Sequence, residues 1–278
     1  MNWLTDVFAG GVEQRALLAG LLTVLASSTI GTWVVLRGMT FLGDAFAHGI
    51  IPGIAVALLF GFNPLIGALI AALFMGLAIT GLSSRPRVGE DTSVGLLFVG
   101  MLALGIAILS RSEEFEHEVH EILFGDLLHV STGDLVAQAI GASAVLLVTI
   151  VMYRPFLALT FNREKASTLG LHPTASHAIL MALLALSIVV SFHAIGTLLV
   201  FAMLIGPPAG AIQLSNRLST IMAISVGLGS ASVLIGLIVS QNLDISPEPT
   251  IATTAVALFF IILAGKELSN SAQSRLVR

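Results

Sequence analysis

Residues 35–61 read VLRGMTFLGDAFAHGIIPGIAVALLFG, an apolar segment interrupted by Arg37, Asp44 and His48. From residue 41 onward it is long enough to cross a bilayer, which takes about 20 residues in a helix. An Asp in the middle of such a helix costs roughly 2.5–3.5 kcal/mol of insertion free energy. The segment therefore predicts a membrane-spanning helix whose acidic residue faces protein or a water-filled path.

The composition of the whole chain agrees with a membrane protein. Of its 278 residues, 56% are hydrophobic and 10% are charged, and the mean hydropathy is +1.01. A soluble domain carries about 25% charged residues, so an ordinary cytosolic enzyme is excluded. The net charge of −4 argues against nucleic-acid binding. Without cysteine there is no disulfide and no thiolate metal site.

Nine apolar runs predict an all-α, polytopic integral membrane protein with about eight or nine transmembrane helices. The runs are continuously apolar rather than alternating, which excludes a β-barrel. We interpret residues 1–278 as one transmembrane domain. The weakest boundary is His193–Gly196, which lies inside a nearly continuous apolar stretch, so eight spans remain an alternative. The runs cover 16–36, 41–61, 64–82, 92–110, 134–152, 174–193, 196–213, 218–240 and 250–265.

Basic residues predict the orientation, because cytoplasmic loops are enriched in Lys and Arg. With nine spans and a cytoplasmic C-terminus, only Arg15 and Arg111 lie outside. The opposite orientation would place most of the basic residues outside, against this rule. The predicted inner residues are Arg37, Arg85, Arg87, Arg154, Arg163, Lys165, Arg217, Lys266, Arg275 and Arg278.

Asp44 and His48 are the candidate metal ligands. They are four residues apart, so their side chains share one helix face. Carboxylate and imidazole both bind first-row transition metals. A four-coordinate site needs further ligands, from a second copy of the chain or from water and backbone carbonyls. The alternative is a buried Asp–His hydrogen bond that only fixes helix packing.

Three prolines are candidate helix hinges: Pro52, Pro207 and Pro208. Each lacks an N–H and leaves the carbonyl four residues earlier without its helical partner. For Pro52 this carbonyl belongs to His48, and for Pro207 it belongs to Met203. A plain packing kink is the alternative at each position.

The predicted outer loop, Arg111–Gly133, contains the sequence EEFEHEVHE at residues 113–121. On a helix, Glu113, His117, His120 and Glu121 would share one face and could capture a divalent cation. The alternative is an acidic, solvated surface helix. Three histidines near span ends, His129, His172 and His177, are interpreted as structural, and the role of His193 is left open.

The predicted cytoplasmic loop, Tyr153–Pro173, contains a candidate short helix. Asn162 could begin it, Lys165 lies inside it and Gly170 could end it. Such a helix could bind a soluble partner or lie as an amphipathic helix at the membrane interface. The chain has no G-x-x-x-x-G-K-[ST] phosphate loop and no G-x-S-x-G elbow, so we expect no enzymatic activity of its own.

Several segments together resemble the membrane permeases of bacterial ABC importers for manganese, zinc or iron, the ABC-3 metal permease family. Residues 35–61 are similar to the R-x-x-x-x-x-G-D-A-x-x-H-x-x-x-P-G segment of that family. Residues 90–110, EDTSVGLLFVGMLALGIAILS, are similar to its E-D-T-x-x-G-x-x-F stretch. Residues 123–125, LFG, match the outer turn, residues 166–170, ASTLG, resemble the coupling helix, and residues 191–209 match the late proline-containing segment.

The resemblance implies a homodimeric permease in the bacterial inner membrane. Two separate ATPase subunits and an extracytoplasmic metal-binding protein would complete the importer. Asp44 and His48 match the metal-path pair of the family. Ala166, Leu169 and Gly170 match the segment that contacts the ATPase. The importer would carry manganese or zinc ahead of iron, with no permanently bound cofactor.

Three other functions remain alternatives at this point. An ion-coupled secondary metal transporter would use Asp44 as a proton site and need no ATPase. Such a transporter often shows an inverted repeat, which the sequence lacks. An intramembrane hydrolase would need a second catalytic carboxylate or a nucleophile. A permease for an organic cofactor would favour a wider and more aromatic pocket.

Overall fold

The computed structural model describes residues 10–85, 87–110 and 127–276. Within these ranges the chain is helical, as the apolar runs predict. Nine helical stretches in the described part are long and apolar enough to cross a membrane. Their bounds differ from the predicted runs by a few residues, because helices continue into the polar ends of each run.

Apart from the stretch between α5 and α6, which includes the residues 111–126 that are not described, the helices follow one another with short connections. A single 3₁₀ turn at Leu127–His129 precedes α6. The helices are α1 Gly11–Leu36, α2 Phe41–Gly49, α3 Ile51–Phe60, α4 Pro64–Ser83, α5 Glu90–Leu109, α6 Thr132–Val151, α7 Tyr153–Phe161, α8 Arg163–Thr168, α9 Pro173–Leu214, α10 Leu218–Leu243 and α11 Pro247–Leu276.

Helix α9 contains two spans, because the chain reverses at Gly196. That residue has φ 74° and ψ 163°, a conformation open essentially to glycine alone. The hydroxyl of Ser187 lies 3.4 Å from that of Ser27, and Ser28 Oγ donates to the Met203 carbonyl at 3.2 Å. In a straight helix Ser187 and Met203 would lie about 24 Å apart. Neighbouring residues of α1 contact both, so the two halves run side by side.

The reversal decides between eight and nine spans. The two halves of α9, Pro173–Phe192 and Ile195–Leu214, are each 20 residues long. Each is therefore long enough to cross the membrane once. The described part of the chain thus supports the nine-span topology.

Helix α1 lies at the centre of the bundle, between the two halves of α9, α6 and α10. Its middle is buried on every side and carries small hydroxyl residues. Gln138 of α6 donates from Nε2 to Thr23 Oγ1 at 3.2 Å. Trp33, fully buried near the end of α1, packs edge-on against Tyr153 and Phe156 of α7. The central helix therefore fixes the position of α7.

Alternate spans place the connections at two ends of the bundle. We call the basic face the end that carries residues 37–40, 84–85, 87–89, 152–172 and 215–217. The other end carries residues 61–63, 110, 127–131, 193–194 and 244–246, and we call it the opposite face. On the opposite face α6 begins with a capping box, in which Ser131 and Asp134 exchange hydrogen bonds.

Candidate metal path

Asp44 and His48 lie together on one face of α2, as their spacing predicts. His48 Nδ1 is 3.4 Å from Asp44 Oδ1 and 3.1 Å from the Asp44 backbone oxygen. The Asp44 side chain is 35% exposed and that of His48 is 29% exposed. The pair therefore opens onto the surface of the single chain within a membrane-spanning segment.

The span that carries this pair is divided into two helices. Helix α2 ends at Gly49 and α3 begins at Ile51, one residue before Pro52. Buried Leu42 and Phe46 hold the other side of α2 in the core. The interruption falls just after His48, where the missing N–H of Pro52 leaves the helical ladder incomplete.

One aromatic side chain of α5 borders the pair. Phe98 packs edge-on against His48, with ring centroids 5.8 Å apart, and against Phe41 at 5.4 Å. Helices α2 and α5 therefore form a seam from the basic face up to His48. We call this contact between the two helices the α2–α5 seam.

The Asp–His pair is incomplete as a metal site in the single chain. Among the residues that the structure describes, no three His, Asp or Glu side chains come close enough to hold a metal ion. A carboxylate and an imidazole supply two ligands, and a closed tetrahedral site needs four. If the pair binds a metal ion, the missing ligands come from water, backbone carbonyls or another chain.

The proline pair of α9 lies in a continuous helical segment. Pro207 and Pro208 are helical, and the non-helical backbone lies at Gly196. The Met203 carbonyl, which loses its helical partner at Pro207, accepts the hydroxyl of Ser28 instead. Neighbouring helices commonly satisfy carbonyls freed by proline in this way. That these prolines act as hinges stays a prediction.

The short helix predicted in the loop Tyr153–Pro173 is present as α8. The Asn162 carbonyl accepts the N–H of Ala166 at its start. Gly170 ends the helix with φ +71°, and the N–H of Leu171 returns to the Ala166 carbonyl at 3.0 Å. This left-handed glycine is a common helix terminator. Ala166 is buried, whereas Leu169 is 70% exposed on the basic face.

Some predicted site residues lie outside the described part of the chain. Glu113, His117, His120 and Glu121 belong to the segment 111–126, which is not described. The side chain of His193 is not described either. A metal-capturing role for the loop stays a prediction from the sequence.

A charged cluster on the basic face was missed by reasoning from the sequence. Arg37 Nη2 is 3.5 Å from Glu90 Oε1, and Arg37 Nη1 is 3.1 Å from His177 Nδ1. His177 Nε2 lies 3.3 Å from the same Glu90 oxygen. The sequence offered a partial signal, since Arg37 and Glu90 each begin a segment that resembles a family motif.

A buried carboxylate on the opposite face was also missed. Glu248, in the first turn of α11, accepts the N–H of Leu127 at 2.7 Å. Glu248 is largely buried. The contact attaches the end of the loop that follows α5 to the last span.

Comparison with known proteins gives the class of the chain. Residues 11–266 match the ABC 3 transport family. The manganese transport system membrane protein MntC of Halalkalibacterium halodurans is 37% identical over 88% of this chain and 84% of its own length. A protein of Haemophilus influenzae named "Probable iron transport system membrane protein" is 34% identical over 95% of this chain and 97% of its own length.

A solved structure has the same architecture. PsaBC from Streptococcus pneumoniae in complex with Fab contains a chain that superposes with a TM-score of 0.81 at 28% identity. The match covers 94% of both chains. The all-helical, nine-span fold is therefore that of ABC transporter permeases.

The chain belongs to the ABC-3 family of metal transport permeases. It is the membrane-spanning subunit of an ATP-driven transport system, and it is not the subunit that hydrolyses ATP. Membership decides against the ion-coupled secondary transporter, the intramembrane hydrolase and the organic-cofactor permease. A bacterial multi-pass membrane protein of this class works with an ATPase and a binding protein.

Proposed function

We propose that this permease imports manganese or iron, the metals after which its relatives in Halalkalibacterium halodurans and Haemophilus influenzae are named. Zinc is a third candidate from ligand chemistry alone, because carboxylate and imidazole bind it well. The metal ion is the cargo of the transporter rather than a resident cofactor. Asp44 and His48 would bind it in transit.

The partial exposure of Asp44 is the observation that carries this proposal. A carboxylate that faced hydrocarbon would pay the insertion cost without a compensating partner. We infer that the exposed face of α2 lines a water-filled path rather than contacting lipid. A second copy of the chain would cover that face and bring another Asp and His to the same axis.

The basic face is the proposed cytoplasmic side and the docking side for the ATPase. It carries Arg37, Arg85, Arg87, Arg154 and Arg217, consistent with the enrichment of basic residues inside. In this orientation the C-terminus is cytoplasmic and the membrane is the bacterial inner membrane. The segment Ala166–Gly170 would contact the ATPase, with Leu169 as its exposed apolar residue.

A cavity beside this segment supports the docking proposal. It has a volume of about 700 Å³ and is lined by residues on both sides of Gly170, including Ser167, His172 and Pro173. A concave surface next to an exposed leucine offers a partner subunit both apolar contact and shape. On the opposite face, the acidic loop would receive the metal from the binding protein.

The experiment is uptake by the complete importer in proteoliposomes. Purified permease, ATPase and binding protein are reconstituted, and Mn²⁺, Fe²⁺ and Zn²⁺ are supplied singly and in competition. We expect accumulation of Mn²⁺ or Fe²⁺ that requires hydrolysable ATP at the basic face. Equal accumulation with a non-hydrolysable ATP analogue would refute the mechanism. Preferential uptake of Zn²⁺ would refute the proposed cargo, and a requirement for ATP at the opposite face would refute the orientation.

A further inference from the structure

Arg37, Glu90 and His177 join three helices at the basic face. Arg37 directly follows α1, Glu90 begins α5, and His177 lies in the second turn of α9. A neutral imidazole with its proton on Nε2 fits the arrangement. Its Nδ1 then accepts from Arg37, while Nε2 faces the Glu90 carboxylate.

Two of the three side chains are largely withdrawn from solvent. The Arg37 side chain is 10% exposed and that of His177 is 1% exposed, whereas that of Glu90, which lines a cleft, is 31% exposed. Burying charges costs free energy that a pair regains only with good geometry, so such a cluster is weak evidence for stability. A gain in stability alone therefore does not account for these contacts.

The contact between Arg37 and Glu90 lies beside this cleft. The cleft has a volume of about 340 Å³ and is lined on one side by residues 38–42 and on the other by Glu90, Asp91 and Val94. Glu90 belongs to the second wall, and Arg37 directly precedes Gly38, the first residue of the other wall. Their contact therefore links the second wall to the start of the first at the basic end of the α2–α5 seam.

The seam leads directly to the metal-binding pair. Phe41 lines the cleft and packs on Phe98, which in turn packs on His48. A separation of α2 from α5 at the cleft would expose this route from His48 to the basic face. The charged cluster thus lies where an exit for the metal would open.

His177 connects the same cluster to the segment proposed to dock the ATPase. Helix α9 begins at Pro173, three residues after Gly170. Ser176 Oγ donates to the Leu171 carbonyl at 3.0 Å, which fixes the end of that segment to the first turn of α9. A displacement of residues 166–171 would therefore move His177.

We propose that Arg37, Glu90 and His177 form a latch that closes the α2–α5 seam, and that movement of the docking segment opens it through α9. The three are positioning residues, because none of them is a ligand of the proposed metal site. The contacts of 3.3–3.5 Å to Glu90 are longer than a charge-assisted hydrogen bond of about 2.7–2.9 Å. Such contacts separate with little loss of bonding geometry. The proposal rests on the proposed path and docking segment.

The absence of native cysteine provides a direct test. Thr40 lines the cleft and is half-buried, so a single Thr40→Cys substitution reports access to it. The rate of modification by a membrane-impermeant thiol reagent is measured in the complete importer. The second readout is the number of metal ions transported per ATP hydrolysed, which a merely structural role would leave unchanged.

In the Thr40→Cys background, Glu90→Gln should raise the modification rate severalfold and lower the transport ratio. Glu267→Gln is the matched control, because Glu267 is an exposed carboxylate near the end of α11 that lies outside the cleft and takes no part in these contacts. It should change neither readout. If Glu90→Gln leaves either the modification rate or the transport ratio at the value measured for Thr40→Cys alone, the proposal is wrong.

Two further variants protect the test against misfolding and against failure of the docking proposal. His177→Gln keeps a hydrogen-bonding side chain at that position, so we expect this variant to fold. It should raise the modification rate and lower the transport ratio, as expected for Glu90→Gln, and it provides the test if Glu90→Gln fails to fold. Gly170→Val probes docking alone. If Gly170→Val leaves ATPase coupling intact, residues 166–170 are not the docking segment. The effect of His177→Gln on the modification rate of Thr40→Cys still tests whether the latch exists.

Discussion

Gly53 and Gly67 pack backbone to backbone between α3 and α4. A Cβ on either glycine would collide with the carbonyl oxygen of the other. Small residues allow this close approach of membrane helices, which gains dispersion contacts and leaves no gap for lipid. The half of the Asp44–His48 span that lies nearer the opposite face is thereby fixed to its neighbour.

Replacing Gly53 or Gly67 by alanine should therefore destabilise the permease. Overpacking of a tight contact typically costs about 1–3 kcal/mol. The measurement is the midpoint of thermal unfolding in detergent, which should fall for both variants. Gly81→Ala is the control in the same helix as Gly67, since a Cβ at Gly81 would have open space. If the three variants unfold at the same temperature, the close contact is not important for stability.

Asp44→Asn and His48→Ala should each abolish metal accumulation while the protein still inserts. The first keeps the shape of the side chain but removes the charge that attracts a divalent cation, and the second removes the imidazole ligand. Uptake is measured at limiting metal, together with the amount of permease in the membrane. Glu267→Gln removes an exposed carboxylate outside both the Asp–His pair and the cleft, and it should retain uptake. Native uptake by both Asp44 and His48 variants would show that the pair only fixes packing.

Gly170→Val should disturb the ATPase contact more than Gly170→Asn. The backbone at this position has φ +71°, which asparagine tolerates better than a β-branched residue. A Cβ there would meet no neighbouring atom, so the effect comes from the backbone rather than from crowding. Co-purification of the ATPase and metal-stimulated hydrolysis are the readouts. Equal behaviour of the two variants would argue that the conformation of this turn is unimportant.

Leu169→Ala tests the apolar part of the same surface. Loss of an exposed side chain leaves the fold unchanged but removes contact area from a partner. We expect weaker retention of the ATPase at elevated salt and an unchanged melting temperature. Leu128→Ala is the control, because that leucine is also exposed but lies on the opposite face. A comparable loss of ATPase from Leu128→Ala would show that the assignment of docking to the basic face is wrong.

His117→Gln and His120→Gln together separate two roles of the loop that follows α5. The double variant keeps the net charge near neutral pH but removes imidazole ligands, which bind metal only when unprotonated. If the histidines capture metal, uptake should fall at limiting metal and recover when metal is abundant. Unchanged uptake at both concentrations would leave the acidic side chains as an electrostatic surface, whose attraction weakens with salt.

The spans could be predicted from the sequence because each is a continuous apolar run between short polar breaks. The exception was His193–Gly196, where the apolar stretch is nearly continuous. The decisive information there is three-dimensional: Ser27 and Ser28 of α1 reach both Ser187 and Met203. No local pattern reports a contact between residues so far apart in the chain.

The same distinction applies to the site. Asp44 and His48 could be paired from the sequence because helical spacing alone brings them together. Arg37 and His177 could not be paired, since 140 residues separate them and each has an ordinary structural explanation by itself. The spacing also failed to show how far the Asp–His pair is exposed, because exposure depends on which helices pack beside α2.

The central position of α1 has a consequence for how the protein is made. Met203 follows its hydrogen-bonding partner Ser28 by 175 residues, which corresponds to roughly 9–35 s of synthesis at about 5–20 residues per second. During this interval α1 is in the bilayer without its final neighbours. Its hydroxyls at Thr29 and Thr32 have local acceptors, the carbonyls of Leu25 and Ser28, at 2.6 and 2.8 Å. The first helix can thus enter lipid alone, whereas the bundle closes only after the proline-bearing half of α9 has been inserted.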